Sequence, residues 1–567
     1  MPNVSQDSLS LPQLLSSKTW CIIPLECYLR VLELRGYGCK LQAIKVIPDD
    51  LSGSAYFLRQ NVWEVSTLGI FRFGRAGFAA LQIVADYKIT LWNLDPNSED
   101  YQKIKSKIHT RSAERLRDVC LDNGGVFIKV GQHIGSLDYL LPPEYVQTMR
   151  ILYDKVPLTP VKKMLEVFKE EFGQEPDEVF SSIDPKPLGS ASLAQVHKAV
   201  LKDGTPVAVK IQYPRVKAHS FVDIKTMTLL VKAVKFIFPG FKYMWLAEET
   251  EKNLPLELDF IQEGKNCEKV AKMLQHLSFF KVPHIYWNLS SSRVLTMEYC
   301  TGGHIDDKEY MTKNKIPVNE VSKKMSKIFS EMIFKYGYVH CDPHPGNILV
   351  NKMKKGETTL TLLDHGLYQI LTDEFRLNYC QLWMSLIRAD LKSIKHYAHK
   401  MNCGELYGLF ACILTARSWS SILSGIDKTP VSQDEAKEIQ NQALNYVVEI
   451  SEVLERIPRQ MLLILKTNDV LRGIESKLKV TKNAESFLNM SRYCINAIAK
   501  EELLFCDTLT CKLQTQFHFK LLLFKISMLE FFLWLTSTSI GRYAWKILDT
   551  AKYLWFSSTL IGRFLGL

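Results

Sequence analysis

The sequence lacks several features that would place it in a common class of protein. No two of its thirteen cysteines are separated by two intervening residues, as in a C-x-x-C pair. No run of Lys and Arg is interleaved with aromatic side chains. The first absence argues against a zinc site built from C-x-x-C pairs, and the second argues against nucleic-acid binding. Because the cysteines are odd in number and scattered, we expect reduced, packed thiols rather than disulfides.

Long uncharged apolar runs are also missing. The stretch from Leu68 to Asn93 is apolar, but its longest uncharged run covers only Ala76 to Ala85. A membrane-spanning helix needs about 20 apolar residues. We therefore expect this stretch to form a buried or interfacial helix rather than a span.

The last eighty or so residues are rich in Leu, Phe and Trp, notably in 521–535 and 553–567. Lys525 and Glu530 divide the first of these runs into short uncharged pieces. An interfacial or packed helix is therefore favoured over a span, and three tryptophans would suit a membrane boundary or a core: Trp534, Trp545 and Trp555.

At 567 residues the chain can bury a large core and contain about three or four domain-sized pieces. Its 47% hydrophobic and 23% charged residues are typical of a globular protein, and the net charge of +11 is a mild basic bias. Residues 1 to about 55 show no clear fold signal. Acidic residues, including Asp7 and Glu26, interrupt what would otherwise resemble a mitochondrial targeting peptide.

The most informative stretch is 338–350, followed by 362–366. An apolar flank leads to His340-x-Asp342, a Pro-Gly turn follows, and Asn347 stands five residues after Asp342. A second apolar strand then ends in Asp364-x-Gly366. This order is typical of a kinase catalytic loop and its metal-binding turn. It predicts that Asp342 accepts a proton from a hydroxyl or water, and that Asn347 and Asp364 bind Mg²⁺.

Two residues and one segment depart from the common kinase pattern. Cys341 and His365 stand where Arg and Phe are usual, and no Ala-Pro-Glu follows Gly366. Thr372 is instead predicted to cap a helix soon after that glycine. The phosphorylation-controlled activation segment of ordinary protein kinases is therefore absent.

A nucleotide-binding loop is predicted between two strands in 187–212. Small residues in the spacing G-x-A-x-x-A-x-V allow the backbone to approach phosphates, although alanines replace two of the usual glycines. The residues expected at the nucleotide are Gly189, Ser190, Ala191, Ser192, Ala194 and Val196. Lys210 follows fourteen residues after Val196 at the end of an apolar strand, where its ammonium would neutralise phosphates. Glu298 lies on a later predicted strand, Val294 to Tyr299, which runs into Gly302-Gly303, where a hinge between lobes would offer backbone groups to adenine.

The partner of Lys210 is ambiguous from spacing alone. Residues 211–247 contain no Glu, and an apolar helical insertion with a break at Pro239-Gly240 lengthens the chain here. A helix is predicted to open at about Pro255. On one helix Glu257 and Glu263 would stand roughly 240° apart, so only one of them could face Lys210.

A helical block precedes the nucleotide loop. Its first helix, from Thr110 to Leu121, should end at Asn123-Gly124-Gly125, a second should run from Val126 toward Leu140, and a third should span Glu144 to about Asp154. The second helix carries Lys129-x-Gly131-Gln132. On periodicity alone, Lys129 and Gln132 would form a solvated helix face.

Taken together, these motifs resemble the UbiB family of atypical aarF-domain kinases over about residues 105–475. The resemblance implies an α+β, bilobal protein-kinase-like fold in which the K-x-G-Q helix lies over the active site. It implies that Lys129 and Gln132 contact the E-x-D pair Glu257 and Asp259, which leaves Glu263 to pair with Lys210.

The expected domains are an N-terminal segment 1–65, a helical extension 66–160, an N-lobe 161–300, a C-lobe 301–475 and an apolar tail 476–567. The resemblance further implies ATP and Mg²⁺ as cofactors, a lipid or isoprenoid-like partner, and a mitochondrial membrane location with a role in membrane or lipid homeostasis. An atypical kinase or ATPase is favoured. A nucleotide-binding scaffold and a small-molecule phosphotransferase are the alternatives.

Overall fold

The computed structural model describes residues 54–95, 98–135, 141–154, 158–239, 244–353, 356–424, 447–478 and 483–537. The predictions for 1–53, for the end of the Val126 helix, and for Trp545 and Trp555 lie outside this range. Contacts divide the chain into a unit 1–68, described only from Ser54 onward, and a unit 69–567.

The described part of the helical block contains five helices: α1 Ser54–Thr90, α2 Glu99–Asn123, α3 Val126–Gly135, α4 Pro143–Met149 and α5 Ile151–Asp154. Helix α2 begins earlier than its predicted start at Thr110, because Ser98 caps it through the backbone N–H of Tyr101. It ends where predicted, since Gly124 has a φ of 66°, which favours glycine. Helices α2 to α5 share a buried cluster that includes Cys120, Phe127 and Leu152.

Residues 69–90 of α1 are held by charged side chains. Arg72 Nε donates to Asp223 Oδ1 over 2.8 Å, and Asp86 pairs with Arg111 and Arg115 at 2.7 and 2.6 Å. The segment Leu68–Thr90 is long and apolar enough to cross a membrane by length and composition, and 17% of its apolar window is buried. Core helices of soluble proteins can be equally long and apolar.

The first lobe is built on an antiparallel sheet with the strand order β1-β3-β4-β6, on which β2 also pairs with β3. Its strands are β1 Phe180–Ile183, β2 Gly189–Ser190, β3 Ala194–Leu201, β4 Pro206–Gln212 and β6 Val294–Glu298. Its helices are α6 Val161–Phe172, α7 Pro176–Val179, α8 Val216–Ile237, α9 Met244–Glu257 and α10 Phe260–Met273. Helices α8 and α9 form the predicted insertion. It lies between β4, which carries Lys210, and the helix that carries the glutamate partner of Lys210.

The helix start predicted at about Pro255 is also wrong. Pro255 lies inside α9 and does not open a new helix. Helix α10 begins at Phe260 because Asp259 caps it, accepting a hydrogen bond from the Ile261 N–H at 3.1 Å. Glu257 and Glu263 therefore lie on different helices, and the angle calculated for a single helix does not apply.

The second lobe contains a four-stranded sheet in the order β5-β10-β9-β7 and a two-stranded pair β11-β8. Its strands are β5 Phe280–Lys281, β7 Gly303–His304, β8 Tyr338–His340, β9 Ile348–Lys352, β10 Thr358–Leu362 and β11 Tyr368–Ile370. Helices α11 Lys308–Lys313 and α12 Val318–Ser330 precede β8, and a π-helical turn Glu331–Tyr336 follows α12.

Helices complete this lobe after β11: α13 Asp373–Arg388, α14 Leu391–Lys400, α15 Tyr407–Thr415, α16 Trp419–Ser424, α17 Val447–Arg456, α18 Arg459–Leu478, α19 Asn483–Leu504 and α20 Leu509–Ser537. As predicted, Thr372 caps α13 through the Phe375 N–H. Phe375, Tyr379, Leu382 and Leu386 are buried along that helix.

The expectation that all cysteines are reduced is wrong for one pair, because Cys506 and Cys511 form a disulfide. Eight other described cysteines are free.

Candidate active site

Lys210 lies between two carboxylates at the junction of the lobes. Its Nζ donates to Glu263 Oε1 and Oε2 over 2.6 and 2.8 Å and contacts Asp364 Oδ2 at 3.2 Å. Strand β4 carries the lysine, helix α10 carries Glu263, and Asp364 follows β10. Burial alone would lower the pKa of Lys210, but Asp364 and Glu263 raise it above its usual value. The ammonium is therefore kept charged, as a phosphate-binding lysine must be.

His340 connects the two aspartates through the backbone. Its Nδ1 accepts from the Asp342 N–H over 3.2 Å, so Nε2 carries the proton and donates to the Asp364 carbonyl over 2.9 Å. Burial lowers the pKa of this imidazole, which agrees with a neutral ring. Asp364 Oδ1 accepts from the Gly366 N–H at 2.9 Å, which fixes its carboxylate.

Two lysines from distant helices contact the Asp342 carboxylate. Lys129 Nζ of α3 lies 3.7 Å from Oδ2, and Lys466 Nζ of α18 lies 3.5 Å from Oδ1. Burial would raise the pKa of Asp342, but the charges of Lys466 and Lys129 hold it well below the usual range. Asp342 is therefore ionised, as a group that accepts a proton must be.

Helix α3 lies over the site, as the resemblance implied. Lys129 Nζ lies 2.6 Å from Glu257 Oε2, and both side chains are largely buried. A Cβ on Gly131 would collide with Leu152 and come within 3.2 Å of Cys120 Sγ, so close helix packing requires the glycine of this motif. The interpretation of Lys129 as part of a solvated helix face is therefore wrong.

The other two residues expected at the E-x-D contact have different partners in the structure. Gln132 Nε2 donates to the Leu152 carbonyl over 3.0 Å, which ties α3 to α5. Asp259 caps α10 and does not pair with Lys129 among the described contacts. Both side chains thus contribute to the architecture around the site.

The predicted nucleotide loop is a tight turn between β2 and β3. Gly189 pairs with Val196 and Ser190 with Gln195, and the Ala191 N–H donates to the Ala194 carbonyl over 2.8 Å. Ser190 Oγ also lies 2.7 Å from Tyr213 Oη, so the loop is fastened to the residue after β4. Ser192 is buried in the turn.

The end of β6 is placed as a connection between the lobes. Glu298 is its last residue and pairs with Val207 of β4. The carboxylate of Glu298 accepts from the His284 N–H at 3.3 Å.

Asn347 lies after the catalytic loop, where its Nδ2 approaches the Asp342 carbonyl at 3.5 Å.

Sequence reasoning missed Lys466 and the ring pair formed by Tyr153 and His344. The two rings stack with centroids 5.2 Å apart, and Tyr153 Oη donates to the Gln132 carbonyl over 2.7 Å. His344 belongs to the catalytic loop, so this stacking adds a second contact between that loop and the helical block. Neither feature carries a short-range sequence signal.

This fold, with a lysine–glutamate pair beside two aspartates on kinase-like loops, defines an atypical protein-kinase-like protein. Residues 151–398 match the ABC1 atypical kinase-like domain. The chain belongs to the ABC1, or aarF-domain, family of atypical kinases.

The relatives extend beyond the matched domain. The chain is 50% identical over 504 residues to AarF domain-containing protein kinase 1 of Gallus gallus, covering 88% of this chain and 97% of that one. It is 52% identical to the Mus musculus protein of the same name, covering 80% and 86% of the two chains. AarF domain-containing kinase 1 of Drosophila melanogaster is 45% identical, with 82% and 89% covered.

Proposed function

We propose that this chain binds ATP with Mg²⁺ and transfers or hydrolyses the terminal phosphate, as an atypical kinase or ATPase. The observation that carries the proposal is the position of Lys210 Nζ, within 3.2 Å of both Glu263 and Asp364. A lysine held in this way is placed to neutralise phosphates while the aspartate faces a metal ion. Asp342, kept ionised beside it, would accept the proton of the attacking group.

The side chains of Asp364 and Asn347 fit a Mg²⁺ site. Mg²⁺ in phosphoryl-transfer sites uses one or two protein oxygens and completes its shell with phosphates and water. No group of three or more His, Cys, Asp or Glu side chains suited to a metal is found among the described residues, so a site built only from protein carboxylates is not supported there. When bound, Mg²⁺ would neutralise developing phosphate charge. Asp364 and Asn347 would hold it.

The acceptor side of the site favours water or a small molecule. Lys129 and Lys466 both contact Asp342, and the likeness to the UbiB family implies that the K-x-G-Q helix obstructs a protein substrate. Glu257 Oε1 is buried and has no hydrogen-bond partner in the described part of the chain. A hydroxyl group or water could donate to that oxygen. A lipid or isoprenoid-like alcohol therefore remains an alternative acceptor to water.

Nucleotide binding is tested by thermal shift with Mg-ATP. Stabilisation of the wild type should be lost in Lys210→Met and Asp364→Asn. The matched control is Lys225→Met, which removes the lysine of an exposed 2.6 Å pair with Glu251 and should respond like the wild type. Absence of stabilisation in the wild type, or equal stabilisation of Asp364→Asn, would contradict the proposal.

Turnover separates an enzyme from a nucleotide-binding scaffold. Asp342→Asn should retain Mg-ATP binding. Its rate of phosphate release or transfer should fall about 10²- to 10⁴-fold. Rescue of a null cell by this variant would instead favour the scaffold. A metabolite-wide search for phosphorylated products distinguishes a small-molecule phosphotransferase from an ATPase.

Association with a membrane surface is supported by the outer face of α1. Phe71, Phe78, Leu81 and Ile89 are exposed along one side of the helix, while Arg72 and Asp86 form ion pairs on the other. Crossing a bilayer would carry those charges into hydrocarbon, at a cost of several kcal/mol each. An interfacial position keeps them on the protein and buries the apolar face in lipid.

A second exposed apolar face lies on α20, where Leu513, Phe517 and Phe524 follow helical spacing.

Flotation with phosphatidylcholine vesicles, with and without phosphatidylglycerol, tests the contribution of α1. The triple variant Phe71→Ser, Phe78→Ser, Leu81→Ser should float less than the wild type. The control triple Leu158→Ser, Ile370→Ser, Leu391→Ser changes exposed apolar residues elsewhere and should not alter flotation.

A mitochondrial membrane location and a role in membrane or lipid homeostasis complete the proposal, and the likeness to the UbiB family supports both. Fractionation of cells expressing the full chain, followed by protease protection of isolated mitochondria, tests the location. Recovery in another compartment would contradict it.

A further inference from the structure

Lys466 contacts the proposed base from a part of the chain that no motif marks. It lies on α18, 124 residues after Asp342, and its Nζ is 3.5 Å from Asp342 Oδ1. Lys129 approaches the other oxygen but has a closer partner in Glu257, at 2.6 Å. Among the described ion pairs, Asp342 is the carboxylate that pairs with Lys466. The two lysines therefore have different roles at this carboxylate.

Stability does not explain the position of Lys466. Its side chain is only 13% exposed, and its one ion-pair contact among the described residues is longer than a charge-assisted hydrogen bond. Withdrawing an ammonium group from water costs several kcal/mol, which a single long contact does not return. Such a cation is expected where its charge serves a function.

The backbone around Lys466 is fixed against the catalytic strand. The neighbouring Thr467 Oγ1 contacts the His340 carbonyl at 3.4 Å, and Asn468 Nδ2 donates to Tyr379 Oη over 3.3 Å. Leu463, one turn earlier, packs against Cys341 and Leu367. The ammonium group is consequently held at a set position relative to the Asp342 loop.

The catalytic loop supplies no cation of its own. Residues 341–346 are Cys, Asp, Pro, His, Pro and Gly, without Lys or Arg. Lys210 is occupied by Glu263 and Asp364, and Lys129 by Glu257. Helix α18 thus supplies the positive charge that faces Oδ1 of Asp342.

We propose that Lys466 is a positioning residue that orients the Asp342 carboxylate toward the acceptor. By attracting Oδ1, it leaves Oδ2 directed to the side of the site where Lys129 and Glu257 meet. This inference rests on the proposed function, because it assigns Lys466 a role only if Asp342 takes part in phosphoryl transfer. It predicts an effect on the rate of transfer and none on nucleotide binding.

The test compares Lys466→Met, Lys466→Arg and the control Lys477→Met in the full chain. Lys477 lies on the same helix, is 66% exposed and pairs with Asp306 at 3.3 Å. With Mg-ATP as substrate, Lys466→Met should lower kcat about 10² fold, as small misplacement of a reacting group does, with KM for Mg-ATP unchanged. Lys466→Arg should recover most of kcat because it restores the charge. Lys477→Met should match the wild type.

A merely structural role would give a different pattern. If Lys466→Met kept the wild-type kcat, or if Lys466→Arg were as slow as Lys466→Met while melting like the wild type, the inference would be overturned. A change in KM alone would also overturn it. A wild-type chain that binds Mg-ATP but never turns it over would instead refute the proposed function.

A double-mutant cycle with Asp342→Asn guards against misfolding of Lys466→Met. Chemical unfolding of the wild type, both single variants and the double variant measures the coupling between the two side chains. A coupling energy within error of zero would show that the 3.5 Å contact does not act on Asp342. Favourable coupling together with the kcat loss supports the inference.

Discussion

Lys129 Nζ lies 2.6 Å from Glu257 Oε2. This ion pair joins α3 of the helical block to the last residue of α9, and it brings the lysine to 3.7 Å from Asp342. Because both partners are largely buried, each depends on the other for charge compensation. The helix over the site is therefore held by the site's own carboxylates.

Lys129→Met should destabilise the protein by about 3 to 5 kcal/mol, because it leaves Glu257 buried without a counter-charge. Urea unfolding provides the measurement. Adding Glu257→Gln should restore part of the loss, since the unpaired charge is then removed. The exposed pair of Lys103 with Glu99 is the control, and Lys103→Met should cost less than about 0.5 kcal/mol. Equal losses in both single variants would contradict the buried pair.

Gly131→Ala should destabilise the protein by about 1 to 3 kcal/mol, because the added methyl group would collide with Leu152 on α5. Thermal or urea unfolding measures the loss. In Gly74→Ala and Gly77→Ala the new methyl group meets no atom within 4 Å, so these α1 variants should be neutral or stabilising by up to about 1 kcal/mol. A neutral Gly131→Ala would mean that α3 and α5 do not pack as closely as described.

Glu263→Gln should weaken Mg-ATP binding about tenfold, because Lys210 loses the carboxylate that holds it toward the phosphates. Calorimetric titration of nucleotide measures the affinity. Glu251→Gln removes the acid of a surface pair of the same 2.6 Å length, with Lys225, and should bind nucleotide like the wild type. Unchanged affinity in Glu263→Gln would remove that glutamate from the nucleotide site.

The pair of arginines around Asp86 should make stability depend on acid pH. Hydrogen bonding to Arg111, opposed by partial burial and helped by Arg115, lowers the pKa of Asp86 from 3.8 to about 2. A depressed pKa in the folded state contributes stability above the unfolded pKa, and the contribution is lost as pH falls from about 4 through the folded pKa of about 2.

Asp86→Asn should therefore lower the free energy of unfolding by about 1 kcal/mol at pH 7, after allowance for solvent screening at the exposed arginines. The difference from the wild type should be small near pH 2, where half of the folded carboxylate is protonated, and should vanish below that pH. Unfolding at a series of pH values measures it. A difference that stayed constant down to pH 2 would show that it arises from packing rather than from the carboxylate charge.

Short-range sequence patterns predicted the catalytic loop well. The spacing of His340, Asp342 and Asn347 between apolar strands, and the Thr372 cap of α13, depend on neighbours within a few residues. Gly124 likewise ended α2 where expected. Local backbone preferences and hydrogen bonds decide such features, and they are present in the sequence itself.

Boundaries and long-range partners were less predictable. Pro255 suggested the start of a helix but lies inside α9, because Asp259 caps the next helix instead. The disulfide between Cys506 and Cys511 was not expected from scattered cysteines. Gln132 and Asp259 were assigned to the contact around Lys129, yet their side chains bond to Leu152 and Ile261.

The sequence by itself determined which residue types stand at fixed spacing around Asp342 and Asp364, and this pattern predicted a phosphoryl-transfer site. Only the tertiary structure decided which charges meet there. Glu263 reaches Lys210 across 53 residues, and Lys466 reaches Asp342 across 124. A solvated helix face and a buried active-site face have the same periodicity. Lys129 joined the active site because the packing of α3 removed that side from water and placed Glu257 against it.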